Sequence, residues 1–209
     1  MNAGFDAVLF DFHGVLTGSP WSMLASVGSG GDEEAILGVL LGEYDTDGDH
    51  PWHRLERGEL AFTDYLTEVA ALGEAAGISI DFSRAVGAAG RIEVNEAMVD
   101  AVRRARTEGY RTAVVTNNVR ELSHGWRSLV PVDELFDAVV DSSECGIRKP
   151  NPAVFHHALS LLGDVVPDRA VFLDDAPGNV AGARAAGLHA ILVDDPDTAL
   201  RDLAALLKT

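Results

Sequence analysis

Residues 8–16 read VLFDFHGVL. Val8, Leu9 and Phe10 form a short apolar run ending in a carboxylate, Asp11, and this pattern predicts a buried strand that delivers an acid to its end. Two residues on, where a second carboxylate would make chemical sense, stands His13.

Working outward, four more β-rich runs recur with helical segments between them: 112–116 TAVVT, 138–140 AVV, 170–173 AVFL and 190–193 AILV. Apolar strands alternating with helices predict a doubly wound α/β fold, Rossmann-like, with a parallel five-stranded sheet covered on both faces. Phe155, Ala158, Leu159 and Leu162 fall at i, i+3, i+4, i+7, with Asn151 placed to cap, Pro152 to open and Gly163 to close a helix. Leu200, Leu203, Ala204 and Leu207 repeat the pattern after Pro196.

The gap between the first two strands far exceeds the dozen or so residues that a parallel crossover needs. Its apolar residues keep helical spacing, as in Ile36, Val39 and Leu40 after Asp32, or Leu66, Val69 and Ala70 after Thr63. Residues 17–90 are therefore expected to form an inserted small helical cap, and residues 1–16 with 91–209 the α/β core.

Sixteen Lys and Arg against 33 Asp and Glu give a net charge of -17, the opposite of a phosphate-backbone footprint. Nucleic acid and anionic membrane are poor partners for such a chain, and no stretch approaches the eighteen or so apolar residues of a membrane span. A soluble, cytoplasmic protein is expected. The single cysteine, Cys145, cannot form an internal disulfide and is read as a small core residue.

Ligands of open parallel sheets bind beyond the carboxyl ends of the strands. There the sequence places Asp11, the run Thr116, Asn117 and Asn118, then Lys149 after the third strand, and Asp174 with Asp175 after the fourth. Carboxylates, a hydroxyl and a lysine around one crevice describe a magnesium-assisted phosphoryl-transfer site. A carboxylate attacking phosphorus divides the hydrolysis into two easier steps, and the charge repulsion it meets is offset by Mg2+, the lysine and the hydroxyl.

Four segments, FDFHGVL, VVTNN, RKPNP and FLDDAPGN, occur in that order, and together they resemble the motifs of the haloacid dehalogenase superfamily. The resemblance covers the chain apart from most of the cap. The later segments look most like the N-terminal phosphatase domain of soluble epoxide hydrolases and its bacterial single-domain relatives, with no room expected here for an epoxide hydrolase half. The resemblance implies that Asp11 is the nucleophile and that Thr116 and Asn117 bind the phosphoryl group. It implies that Lys149 bridges that group to the acidic cluster, that Asp175 is the principal metal ligand from the last motif, and that Asp174 supports Lys149 or a metal-bound water. Asn179 would brace the loop. Mg2+ would be held by Asp11, Asp175 and the backbone carbonyl of residue 13.

His13 departs from the family pattern, in which a second aspartate protonates the leaving group and then activates water. The carbonyl survives the substitution, so proton transfer is the step in question. Two readings stand: an imidazole that carries the proton, with a pKa raised by neighbouring carboxylates, or the mark of a site that has lost its acid. The expected function is a magnesium-dependent phosphohydrolase on a small organic phosphate. Its rivals are a 2-haloacid dehalogenase, against which the paired Asp174 and Asp175 count, and a catalytically impaired phosphate-binding protein.

Three other stretches are set aside. Asp45, Asp47, Asp49 and Glu56 fall at positions 1, 3, 5 and 12 of a calcium loop, but His50 occupies the sixth, where the turn wants glycine. The segment is read as an acidic turn before a cap helix, with His50 and His53 at the surface. GSGG at 28–31 follows no strand and is read as a hinge or loop. Trp21, Trp52 and Trp126 fit either core or crevice.

Overall fold

The computed structural model describes residues 4–84 and 92–208. Seven strands appear among them: β1 Ala7–Phe10, β2 Gly28–Ser29, β3 Ser79–Ile80, β4 Arg111–Thr116, β5 Ala138–Asp141, β6 Ala170–Asp174 and β7 His189–Leu192. Five form one parallel sheet in the order β5-β4-β1-β6-β7, at the spans read from sequence to within one residue at each end. β2 and β3 form a separate antiparallel pair, so Gly28 and Ser29 of the GSGG stretch are strand rather than loop.

Alternation along the strands builds two cores. Val8, Phe10, Val114, Val171 and Leu173 face one layer, against Met98, Val99 and Val102 of the helix Glu96–Thr107 and Leu203 of the helix Pro196–Lys208. Ala7, Leu9, Ala113, Val115 and Phe172 face the other, against Phe155, Ala158 and Leu159 of the helix Pro152–Leu161. Both faces of β1 are fully buried, and each large side chain so buried contributes roughly 1.5–3 kcal/mol. Asn151 caps its helix as its position predicts, its side chain accepting from Ala153 N–H at 3.1 Å with Pro152 in the first turn.

β1 sits at the switch point, with β4 on one side and β6 on the other. Phe10 pairs with Val114 and with Leu173. One step further, Asp11 lies level with Asp174, and its N–H donates to Leu173 O at 2.8 Å. The strand order thus sets the site.

Between β1 and β3 lie the helices Trp21–Ala25, Glu33–Leu41, Pro51–Glu56 and Phe62–Ala76. They have their own cluster of Ile36, Leu40, Leu55, Tyr65 and Val69, reached by Val119 from the loop after β4. Asp32 caps the second helix, its carboxylate accepting from Ala35 N–H at 2.9 Å. The fourth helix departs from expectation. It begins at Phe62, not after Thr63, and its buried stripe is Tyr65, Val69 and Gly73 while Ala70 is exposed. Its first turn takes a cap from outside, since Phe62 N–H donates to Glu121 Oε1 at 3.1 Å. The expected cap boundary at residue 90 lies outside the described residues. Among the described residues no helix is long and apolar enough to cross a membrane.

Candidate active site

Asp11, Thr116, Lys149, Asp174 and Asp175 come from four separate segments, and the sheet brings them to one edge. Lys149 is the centre of the arrangement: its Nζ lies 2.6 Å from Asp11 Oδ1 and 2.7 Å from Asp174 Oδ2. The loop holding it is fixed through its backbone. Asn117 Nδ2 donates to Lys149 O at 3.0 Å, and Lys149 N–H donates to Asn117 Oδ1 at 2.8 Å. Asp174 is held in turn by Ala176 N–H at 2.8 Å and by Asn179 Nδ2, which reaches both its oxygens at 3.0 and 3.1 Å.

Asp11, Asp174 and Asp175 offer ligand atoms within 4.8 Å of one another. Three carboxylates face one ammonium, and the imbalance shows in their acidities. Burial pushes Asp11 up to about 6, opposed by Lys149 and reinforced by Asp175. Asp174 rises to about 7 through burial, with Lys149 opposing and Asp11 adding, and Asp175 to about 6 through burial and the charge of Asp174. Burial works against the charge on Lys149, yet Asp11 and Asp174 outweigh it and hold the ammonium above its ordinary value. The donor set is all oxygen, as a hard divalent cation prefers, and a buried atom, Asn179 Oδ1, is left without a partner behind it. The residues fit such an ion.

Gly14 was not singled out by its sequence and proves essential to this geometry. Its φ is +89°, and a Cβ there would overlap the Asp175 carboxylate. The glycine immediately after His13 was the available signal.

His13 differs from its expected environment. Its Nδ1 lies 3.0 Å from Thr17 Oγ1, and its ring meets Phe12 edge-on at 5.1 Å between centroids. Burial, followed by the charge of Lys149, lowers its pKa to about 4. The neighbouring carboxylates were expected to raise it, but burial dominates and the charge of Lys149 adds to it, so the imidazole is neutral at pH 7.

The calcium-loop residues do not converge. Asp45 Oδ1 accepts from Gly178 N–H at 2.8 Å and Asp47 Oδ1 from Arg57 at 2.6 Å, while Glu56 is buried against Arg148 at 2.8 Å. His53, expected at the surface, is buried and accepts from Gly48 N–H at 3.0 Å through Nδ1. His50 caps the helix Pro51–Glu56. Trp21 and Trp52 border the crevice, whereas Trp126 packs on Phe12 in the core and also edges a groove beside His13. Cys145 is half-buried against the core.

A profile of the haloacid dehalogenase-like hydrolases matches residues 5–187. The chain belongs to this family. Among curated relatives, acyl-CoA dehydrogenase family member 10 of Mus musculus is 36% identical across 97% of this chain, which spans 19% of that protein. Bifunctional epoxide hydrolase 2 of Mus musculus is 30% identical across 82% of this chain and 34% of its own length. This haloacid dehalogenase-like chain therefore spans about a fifth of the first relative and about a third of the second. A haloacid dehalogenase family enzyme of Bacteroides thetaiotaomicron, solved with magnesium and inorganic phosphate, shares the fold with a TM-score of 0.60 at 18% identity, over 90% of this chain and 93% of that one.

Proposed function

We propose that this hydrolase is a magnesium-dependent phosphohydrolase that acts on a small organic phosphate through an aspartyl phosphate. The observation that carries the reading is Lys149 Nζ, hydrogen-bonded between Asp11 and Asp174, with Asp175 completing a three-carboxylate cluster. The magnesium and phosphate in the Bacteroides thetaiotaomicron structure support it. Asp174 and Asp175 together favour it over a dehalogenase, which would need no metal.

Asp11 is the nucleophile: one of its oxygens forms a bond to phosphorus as the ester oxygen departs, and water then cleaves the acyl phosphate. Thr116 and Asn117 bind phosphoryl oxygens, and the reciprocal bonds between Asn117 and Lys149 hold both binding groups in one register. Lys149 offsets the charge spreading over those oxygens. Asp11, Asp175 and the His13 carbonyl would hold Mg2+, which would supply further neutralisation of the phosphoryl charge. Asp174 is a positioning residue that keeps Lys149 in place, and Asn179 holds Asp174.

His13 is a neutral ring fixed by Thr17, with no proton to spare for a departing alkoxide at pH 7. The activity is therefore reduced on esters of weakly acidic alcohols and best on esters whose leaving oxygen needs no protonation. Residues 17–90 form the cap that closes over this site, on a core of residues 1–16 and 91–209, in a cytoplasmic protein without nucleic-acid or membrane partners.

The test is phenyl phosphate hydrolysis with magnesium, with chelator, and by Asp11→Asn. Hydrolysis that needs magnesium and vanishes in the variant agrees with the proposal, and turnover undiminished by chelator contradicts it.

A further inference from the structure

Above Asp11 lies a partly enclosed chamber of about 140 Å³. Its floor is Asp11, Thr116 and Asn117. Its walls are mainly Trp21, Leu24 and Trp52 from the cap and Val119 and Leu122 from the core. A cavity of about 150 Å³ lined by apolar side chains accommodates benzene, so the narrow part of this space matches a leaving group of about one six-membered ring.

The charges around the chamber restrict it further. Among the described residues lining it there is no lysine or arginine, and the acids are Asp11 and Glu56. The cations nearby are already engaged. Lys149 is held by Asp11 and Asp174. Arg148, fully buried, donates to Glu56 at 2.8 Å and to the carbonyls of Tyr44 and Thr46, and its guanidinium lies over the Tyr44 ring at 5.4 Å. On the far side of His13 and Leu122 runs an open groove of about 930 Å³ bordered by Glu93, Glu96 and Glu121. A second anionic group on the substrate, beyond the phosphoryl group that Lys149 offsets, would approach past three carboxylates and then lose its hydration beside two more, which is costly without a counter-charge of its own.

Two buried donors in the wall lack a partner, Trp52 Nε1 and Asn118 Nδ2, and the second sits on the loop that follows the phosphoryl-binding Thr116 and Asn117. Asn118 is 6% exposed, its Oδ1 accepts from Val119 N–H at 3.0 Å, and its Nδ2 has no partner. A buried donor left unpaired costs about 1–3 kcal/mol, a cost that an acceptor oxygen on the ligand would remove.

Resting on the phosphohydrolase reading, we propose that the substrate is a phosphate monoester of a compact, uncharged alcohol or phenol, no larger than one six-membered ring, whose single further oxygen is received by Asn118 Nδ2. Nucleotides, bisphosphates and phosphorylated carboxylic acids fall outside this class.

The test compares kcat/KM with magnesium for two pairs of esters. Phenyl and 1-naphthyl phosphate differ in size, and 2-phosphoglycolamide and phosphoglycolate differ in charge. Phenyl phosphate should exceed 1-naphthyl phosphate by at least about tenfold, and the amide should exceed the carboxylate by at least about a hundredfold. Leu24→Ala, which enlarges the chamber, should recover most of the naphthyl deficit. Equal rates within either pair overturn the proposal while leaving the phosphohydrolase reading intact. Failure to hydrolyse any of the four esters removes the phosphohydrolase reading, and the substrate class with it.

Discussion

Gly14 and Asp175 approach so closely that no side chain fits between them: a Cβ on Gly14 would occupy the space of the Asp175 carboxylate. Two segments 161 positions apart thereby share one small volume at the sheet edge. Gly14→Ala should displace Asp175 and also strain a backbone at φ +89°, a conformation that costs an L residue roughly 1–2 kcal/mol. The expected outcome is a folded protein by circular dichroism with magnesium affinity lowered by at least about tenfold, measured by calorimetry. Unchanged affinity would show that Asp175 does not hold the ion.

Arg148 and Glu56 form a fully buried pair joining the loop before Lys149 to the cap helix Pro51–Glu56. Removing one partner strands the other charge. Arg148→Met should therefore lower stability by about 3–5 kcal/mol in urea unfolding, while Arg148→Met with Glu56→Leu recovers most of the loss. A double variant no more stable than the single one would mean that the lost bonds to Tyr44 and Thr46, not the stranded charge, dominate.

The position of the strands was legible because apolar runs such as AVLF and AVFL occur where both sheet faces are covered, and the site was legible because strand ends carry chemistry. The β2–β3 pair was not, since two residues per strand leave no alternation to read. Nor was the start of the helix Phe62–Ala76, whose capping group, Glu121, lies 59 residues away. The acidity of His13 escaped for a similar reason: the burial that lowers it most, and the charge of Lys149 that adds to it, both come from the fold and from partners distant in sequence.

Burial, with Arg148 adding, lowers the His53 pKa to about 4 from 6.5. The folded protein therefore binds this proton less readily than the unfolded chain. The stabilisation is fully present above pH 6.5 and is lost as pH falls through about 4. Asp11, Asp174 and Asp175 act with the opposite sign, so the histidine must be isolated by comparison. The loss of melting temperature between pH 7 and pH 4 should be smaller in His53→Asn than in the parent. Identical losses would contradict the burial argument.

His13→Asp should return a carboxyl to the position from which the family protonates leaving groups. The rate on an alkyl phosphate should rise by about a hundredfold, with a far smaller change on phenyl phosphate, whose leaving oxygen needs less help. His13→Ala should change little on either ester. A large loss in the alanine variant would make the imidazole itself the proton carrier.

The central claim is that Asp11 takes the phosphoryl group. Acid quenching during turnover of phenyl phosphate with magnesium, followed by peptide mass spectrometry, tests it most directly. A phosphoryl adduct on Asp11, absent from Asp11→Asn and from chelated protein, is the predicted result. Steady turnover with no adduct on Asp11, or with the adduct on another residue, would contradict the account.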